Sequence, residues 1–262
     1  MSKGLTIMEA KMEKYLQKID IRSYDTDQQG KASICSLFHF MLEAAWAHAQ
    51  VMDWGYDQLH SNHMFWVLSR LYVVVEKYPS WQDTITLKTW SAGTDGVYAY
   101  REFIIEDADG RVLLRANTAW LILETETKKI VLLRDHISTF PRYHKTGSCR
   151  EPRRIRPGKS TKSHDFTPVR FSELDINAHF NSVKAMERVL DQFSIEFLDA
   201  HEPESVEVNY LKEGFAGDRL AVSVEQAEPN SCLATIIRES GHANLSVMKI
   251  NWRPRQVDLR NS

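Results

Sequence analysis

Residues 170–182 read RFSELDINAHFNS and residues 22–33 read RSYDTDQQGKAS, and setting one above the other decides the fold. Arg22 and Asp27 fall in step with Arg170 and Asp175, five residues apart in each copy. Gln29 and Lys31 then stand opposite Asn177 and His179, so only the second copy adds an amide and an imidazole to its carboxylate. The interval between the copies is far longer than a solenoid period. It fits a plan used twice, with chemistry in one copy.

The residues after each copy point the same way. Behind the first stands ASICSLFHFMLEAAWAHAQVMDWG, where Ala32 to Met52 holds one charged residue, Glu43, and is apolar on nearly every face. That is the pattern of a helix buried all round. Its length also suits a membrane span, but His39, Glu43, His48 and Gln50 would be costly in lipid. From Phe65 onward the period changes to two. FWVLSRLYVVVEKY, DTITLKTWSAG, YAYREFIIEDADG and RVLLRANTAWLILETETKKIVLLR read as successive antiparallel strands, with turn chemistry such as DADG between them. After the second copy, NSVKAMERVLDQF reads as a helix and ESVEVNYLKE, DRLAVSVEQAE, SCLATIIRES and ANLSVMKINW as strands. A helix followed by antiparallel strands, twice over, makes the fold class α+β.

Composition limits the function. With 262 residues, 43% hydrophobic and 26% charged, the chain is long enough for one or two real cores. A formal net charge of -2 supplies no global field for nucleic acid or anionic lipid, so neither is an expected partner. The opening MSKGLTIMEAKMEKY lacks the apolar core of a signal peptide, and the expected location is cytoplasmic. Cys35, Cys149 and Cys232 are far apart and form no CxxC pair, which argues against a disulfide framework or a zinc site. Among the ten histidines none shows metal-ligand spacing with a carboxylate, so no metal is expected. Charge does concentrate in one place: from Arg142 to Lys162 eight Lys or Arg residues face a single acid, Glu151.

In the second copy Asp175, Asn177 and His179 stand at i, i+2 and i+4. An extended segment would point all three to one side, whereas a helix would turn Asn177 away. In VEVNYLKE, strand alternation would put Glu207, Asn209, Leu211 and Glu213 on one face, with Gly214 allowing a bend after Glu213. The same residues also suit plainer tasks. Asp175 could be a turn residue, Asn181 or Ser182 a helix cap, and Glu213 a solvated strand end.

Four separated stretches, RSYDTDQQGKA, WVLSRL, YPSWQDTITLKTW and LDINAHFNSVK, resemble bacterial members of the acyl-ACP thioesterases, plant and bacterial enzymes that release fatty acids from acyl carrier protein. The resemblance runs from about Tyr15 to Arg253. It implies a double hotdog fold, two tandem repeats that each wrap an antiparallel sheet around a long central helix. Residues 1–145 would form the N-terminal repeat, 146–163 a basic linker and 164–262 the C-terminal repeat with the catalytic motif. The family's Asp-x-Asn-x-His run and a later Glu carry over to Asp175, Asn177, His179 and Glu213. Plant relatives usually have Cys after that Glu; Gly214 stands here, so no thiol is available. Where members tend to read His-Val-Asn-Asn, this chain has His179, Phe180, Asn181 and Ser182.

The chemistry agrees with that implication. A thiolate leaves readily, so the harder tasks are to generate an attacking oxygen and to hold the oxyanion. Either Glu213 or Asp175 could take a proton from water, with His179 and Asn177 polarising and positioning it. If a helix begins just after His179, the amides of Phe180 to Ser182 could stabilise the oxyanion. The expected reaction is hydrolysis of fatty acyl-acyl carrier protein to free fatty acid and holo-acyl carrier protein, with no cofactor. Acyl-CoA hydrolysis and a non-catalytic acyl-binding module are the alternatives. Phe38, Phe40, Met41 and Trp46 are the expected acyl-chain contacts, as the plant relatives are thought to read chain length in the N-terminal half. Arg153, Arg154 and Arg156 are the expected contacts for an acidic carrier protein, and a homodimer is left open.

Overall fold

The computed structural model describes residues 14–136, 146–158 and 165–255. The opening segment to Glu13 and the basic residues Arg142, Lys145, Lys159 and Lys162 lie outside them. The chain divides into two compact units, Met1–Arg153 and Arg154–Ser262.

In the first unit β1 (Tyr15–Asp20) leads through a 3-10 turn (Ser23–Asp25) to helix α1 (Ile34–Val51) and a short helix α2 (Tyr56–Ser61). Strands β2 (Met64–Val75), β3 (Thr84–Thr94), β4 (Ala99–Glu106), β5 (Val112–Glu124) and β6 (Ile130–Val131) come next. The strand order within this unit is β1-β3-β4-β5-β2, with β6 beside β5 and every pair antiparallel.

The second unit repeats the plan. After β7 (Thr167–Pro168) come a 3-10 turn (Phe171–Glu173), α3 (Ser182–Leu190), α4 (Ile195–Ala200), β8 (His201–Tyr210), β9 (Arg219–Glu228), β10 (Ser231–Arg238) and β11 (Ala243–Pro254). Their order is β7-β9-β10-β11-β8, element for element that of the first unit. Even the entry turns agree: Arg22 N donates to Asp25 Oδ2 at 2.9 Å, and Arg170 N donates to Glu173 Oε2 at 2.7 Å.

Helix α1 packs on β1 and β3, and α3 on β9 and β10. Ser33 caps α1 by accepting Ser36 N at 3.0 Å. Leu37, Phe38, Met41, Ala44 and His48 form its buried stripe. The expectation of burial on every face is corrected here, because His39, Glu43 and Gln50 are exposed. Their spacing puts them on the opposite side of a 3.6-residue helix. Among the described residues no helix is long and apolar enough to cross a membrane.

Strand β1 was not anticipated; it is an edge strand whose six residues alternate half-buried and exposed, too weak a pattern to stand out. The described part of the basic stretch is packed against the units. Thr146 Oγ1 and Ser148 Oγ each donate to buried Glu102 Oε2 at 2.6 Å. Arg150 covers the Tyr72 ring at 3.5 Å, and Ile155 N donates to Asn209 Oδ1 at 2.7 Å.

Candidate active site

The second unit builds its site on a tight turn. Ala178 N donates to Asp175 O at 3.0 Å, and Asp175 N to His179 O at 2.8 Å. The Asp175 carboxylate folds under the turn, where Oδ1 accepts the N–H groups of Asn177 at 2.9 Å and His179 at 3.0 Å. Neither an extended segment nor a helix is present, so the three side chains do not share one side. Asp175 faces its own backbone and Asn177 stands exposed near the tip. Ala178 adopts φ 59°, the left-handed region that side chains rarely enter.

His179 turns toward Glu213. Its Nδ1 lies 3.5 Å from Glu213 Oε1, and the two side chains are 18% and 23% exposed. The geometry falls short of a hydrogen bond, and Oε1 is buried without one, so the contact is electrostatic. The Phe215 ring meets the imidazole edge-on with centroids 5.2 Å apart. Phe180 N donates to Gly214 O at 2.8 Å, and His179 bridges Phe215, which ties the turn to the segment carrying Glu213.

Glu213 is not held by strand alternation. Strand β8 ends at Tyr210, and Leu211 N and Lys212 N both donate to Leu245 O, at 2.7 and 3.2 Å. Two donors on one carbonyl kink the chain and reset the direction of the side chains beyond, so Glu213 does not continue the face of Glu207 and Asn209. A Cβ on Gly214 would lie 2.9 Å from Leu245 Cδ2 and 3.0 Å from Phe180 Cβ, so a larger residue there needs those side chains to give.

The amides expected to cradle an oxyanion are mostly committed. Phe180 N is used by Gly214, Asn181 N donates to Glu173 O at 2.9 Å, and Asn181 caps α3 by accepting from Val183 N and Lys184 N. The helix starts at Ser182 and not directly after His179.

The first unit provides an internal comparison. Asp27 Oδ1 accepts Gln29 N at 2.9 Å and Lys31 N at 3.1 Å, Gly30 N donates to Asp27 O at 3.0 Å, and Gly30 has φ 70°. Ala32 N donates to Pro79 O at 2.8 Å, as Phe180 N does to Gly214 O. In that frame His179 is replaced by Lys31 and Glu213 by the buried Tyr78. One backbone is built twice, and the imidazole–carboxylate pair occurs in one of the two.

A separate pocket of about 40 Å³ lies in the first unit, lined by Trp46, Trp54, Trp66, Trp120 and Arg101 among others. Trp46 is the one expected acyl-chain contact on its wall. Phe38 and Met41 are fully buried in the core, and Phe40 is half-buried away from the pocket. Arg101 and the other three tryptophans were not singled out from sequence, because each reads as an ordinary strand or loop residue. Arg153, Arg154 and Arg156 are exposed. Among the described residues no three His, Cys, Asp or Glu side chains group as a metal site would need.

Comparison with known proteins completes the picture. By sequence the chain is 23% identical over 257 residues to oleoyl-acyl carrier protein thioesterase 2, chloroplastic, of Arabidopsis thaliana, covering 90% of this chain and 70% of the relative. It is 24% identical over 265 residues to an acyl-[acyl-carrier-protein] hydrolase of Cuphea viscosissima, covering 94% of this chain and 64% of the relative. The chain thus spans about two thirds of the length of these plant proteins. Among solved structures, an acyl-ACP thioesterase from Bacteroides thetaiotaomicron superposes with a TM-score of 0.84 at 23% identity, covering 94% of this chain and 99% of that one. A 12:0-ACP thioesterase from Umbellularia californica gives 0.80 at 21% identity, covering 92% and 98%. These likenesses establish the fold as hotdog-type, mostly antiparallel sheet with few helices. The family model for the acyl-ACP thioesterase N-terminal domain matches residues 12–140 and that for the C-terminal domain matches residues 156–254, and with most of its length so matched the chain belongs to the acyl-ACP thioesterase family.

Proposed function

We propose that this protein hydrolyses fatty acyl-acyl carrier protein thioesters to free fatty acid and holo-acyl carrier protein, with the His179–Glu213 pair accepting the proton of the attacking water. The observation that carries the reading is the approach of these two side chains in one of two otherwise equivalent turns. With Nδ1 facing Glu213 at 3.5 Å, the carboxylate stabilises the imidazolium, and proton transfer runs through Nε2. Water oxygen bonds to the acyl carbon, the carbonyl becomes an oxyanion, and its collapse expels the carrier's pantetheine thiolate, which takes the proton back from the imidazolium. Asn177, exposed at the tip, is suited to hold the water or the thioester oxygen. Asp175 holds the turn that presents both. This divides the labour between the two acids: Glu213 acts on the imidazole and Asp175 on the backbone.

The identical strand order supports a tandem double hotdog, with residues 1–145 and 164–262 as the repeats and 146–163 as the basic linker between them. Chain length would be read in the N-terminal repeat, and an acidic carrier would meet Arg153, Arg154 and Arg156. A cytoplasmic site of action and a homodimer stay expectations of the sequence. The deciding experiment measures free acid released from carrier-bound and CoA-bound chains by the wild type, Glu213→Gln and His179→Ala. Loss of the proton-accepting unit should lower kcat by about 10² to 10⁴. Turnover in both folded variants within threefold of wild type would overturn the assignment, and exclusive use of acyl-CoA would overturn the substrate.

A further inference from the structure

His179 has an aromatic neighbour that the fold does not ask for. Phe215 stands at the head of a four-residue turn, where its N–H donates to Asp218 Oδ2 at 2.9 Å, Asp218 N donates to Phe215 O at 3.1 Å, and Val169 N donates to Asp218 O at 2.8 Å. The first unit builds this turn again from Ser80 to Asp83. Ser80 N donates to Asp83 Oδ2 at 2.8 Å, Asp83 N to Ser80 O at 3.1 Å, and Ile21 N to Asp83 O at 2.9 Å. The third residue is left-handed in both, Gly217 with φ 87° and Gln82 with φ 69°. The same backbone thus forms on a serine, and the Phe215 ring is 42% exposed, so packing does not account for it.

What differs is the residue that each turn meets. His179 bridges Phe215, and Lys31 bridges Ser80 at the equivalent place. Lys31 Nζ donates to the Ser80 hydroxyl at 3.0 Å, a bond that suits a cation. A hydroxyl beside an imidazole that must take and return a proton would compete for one of its nitrogens. The Phe215 ring has no such group, and it meets the imidazole at 90° with centroids 5.2 Å apart, a favourable edge-to-face pair. Glu213 faces Nδ1 at 3.5 Å without a hydrogen bond, so its charge attracts the nitrogen but does not set the plane of the ring. An edge-to-face contact is directional and can set it.

We propose that Phe215 is a positioning residue for hydrolysis, holding the plane of the His179 imidazole while leaving both ring nitrogens to the chemistry. The inference rests on the hydrolytic reading above, in which His179 accepts the proton of water. The turn that carries the ring is itself braced, since Arg238 Nη1 lies 3.4 Å from Asp218 Oδ2.

The test uses the full chain and three substitutions. Phe215→Ser installs the residue of the first unit and should unfold near the wild-type denaturant midpoint, because Ser80 holds the same turn. Its kcat on a carrier-bound substrate should fall about ten- to a hundredfold with KM within about twofold, as expected of a misdirected proton acceptor. Phe215→Leu keeps an apolar side chain without the ring and should share that loss, whereas Phe215→Tyr keeps the ring and should stay within about threefold of wild type. In a His179→Ala background, Phe215→Ser should change the residual rate by less than about twofold, because the ring acts through the imidazole. Carbon-13 relaxation of the His179 ring gives a readout that needs no turnover: the ring should be ordered in wild type and Phe215→Tyr and more mobile in Phe215→Ser and Phe215→Leu. A wild type that hydrolyses no acyl thioester yet shows this relaxation pattern would overturn the hydrolytic reading and support the hold of Phe215 on the imidazole. Equal order of the His179 ring in all four proteins would overturn the proposal. So would a wild-type kcat in Phe215→Leu, or a loss confined to KM, which would make Phe215 a substrate contact.

Discussion

Asp175 and Asp27 make the same two bonds to the same two turn positions, yet only one of them sits beside an imidazole. Shared geometry marks a shared task, the holding of the turn. Removing either carboxylate should therefore cost similar stability, about 2 kcal/mol for bonds to a charged acceptor, in denaturant unfolding of Asp27→Ala and Asp175→Ala. Asp175→Asn keeps an acceptor oxygen and should retain kcat within about tenfold, whereas Glu213→Gln should lose about 10² or more. Equal losses in the two would return Asp175 to the chemistry. Ala178 is a second case where the halves differ usefully: Gly30 occupies its place with φ 70°. Ala178→Gly relieves left-handed strain of about 1–2 kcal/mol against about 1 kcal/mol of added unfolded-state entropy, so a gain of up to about 1 kcal/mol in unfolding free energy is expected. The cysteines offer no alternative nucleophile. Burial holds the Cys149 thiol up at about 11 and raises that of Cys232, and Cys35 is buried in α1. A folded Cys35/Cys149/Cys232→Ser triple variant should keep its turnover, and a thousandfold loss would contradict the proposed water mechanism.

The elements that hold these residues were unevenly legible. Helix α1 was readable from its long, nearly uncharged apolar run, strands β2 to β5 and β8 to β11 because their apolar residues recur at 2, and the duplicated turn because Arg and Asp recur at one spacing. The kink after β8 was not, because it comes from two amides sharing Leu245 O across strands, a tertiary fact with no local signature. The direction of Asp175 was missed for a related reason: an Asx turn and an extended strand can use the same letters, and only the closing amide bonds separate them. The aromatic pocket gathers Trp46, Trp54, Trp66 and Trp120 from three elements and the α1–α2 connection, so no window of sequence contains it. The kink makes its own prediction. Gly214→Ala puts a methyl group against Leu245 and Phe180, should cost about 1–3 kcal/mol as overpacking, and should lower kcat by displacing Glu213. On α1, Trp46→Ala is expected to be the one of Phe38→Ala, Phe40→Ala, Met41→Ala and Trp46→Ala that shifts the acyl-length profile. Phe38→Ala and Met41→Ala should instead lower stability by about 2–5 kcal/mol. A length profile moved by Met41→Ala and untouched by Trp46→Ala would put the selecting wall elsewhere.

At the scale of the whole molecule the formal net charge of -2 leaves recruitment of an acidic carrier to local patches. Arg153, Arg154 and Arg156 are exposed and close in sequence. Reversing all three to Glu should raise KM for carrier-bound substrate, more at low salt than at high, and should spare a small soluble thioester. Equal loss on both substrates would show that these arginines serve the fold.

The anchoring of the basic stretch reaches beyond recruitment. Glu102 grips Thr146 and Ser148 ahead of the boundary, Pro152 is buried, and Asn209 holds Ile155 just past it. A protease must draw several residues of backbone into its cleft, and cleavage concentrates where the chain can be drawn out. Adjacent exposed arginines would ordinarily advertise a tryptic site, but the peptide between Arg153 and Arg154 follows directly on buried Pro152 and on Ser148, which Glu102 holds. Native trypsin digestion should leave it intact, and Glu102→Gln, by loosening the upstream grip, should be enough to make it a nick.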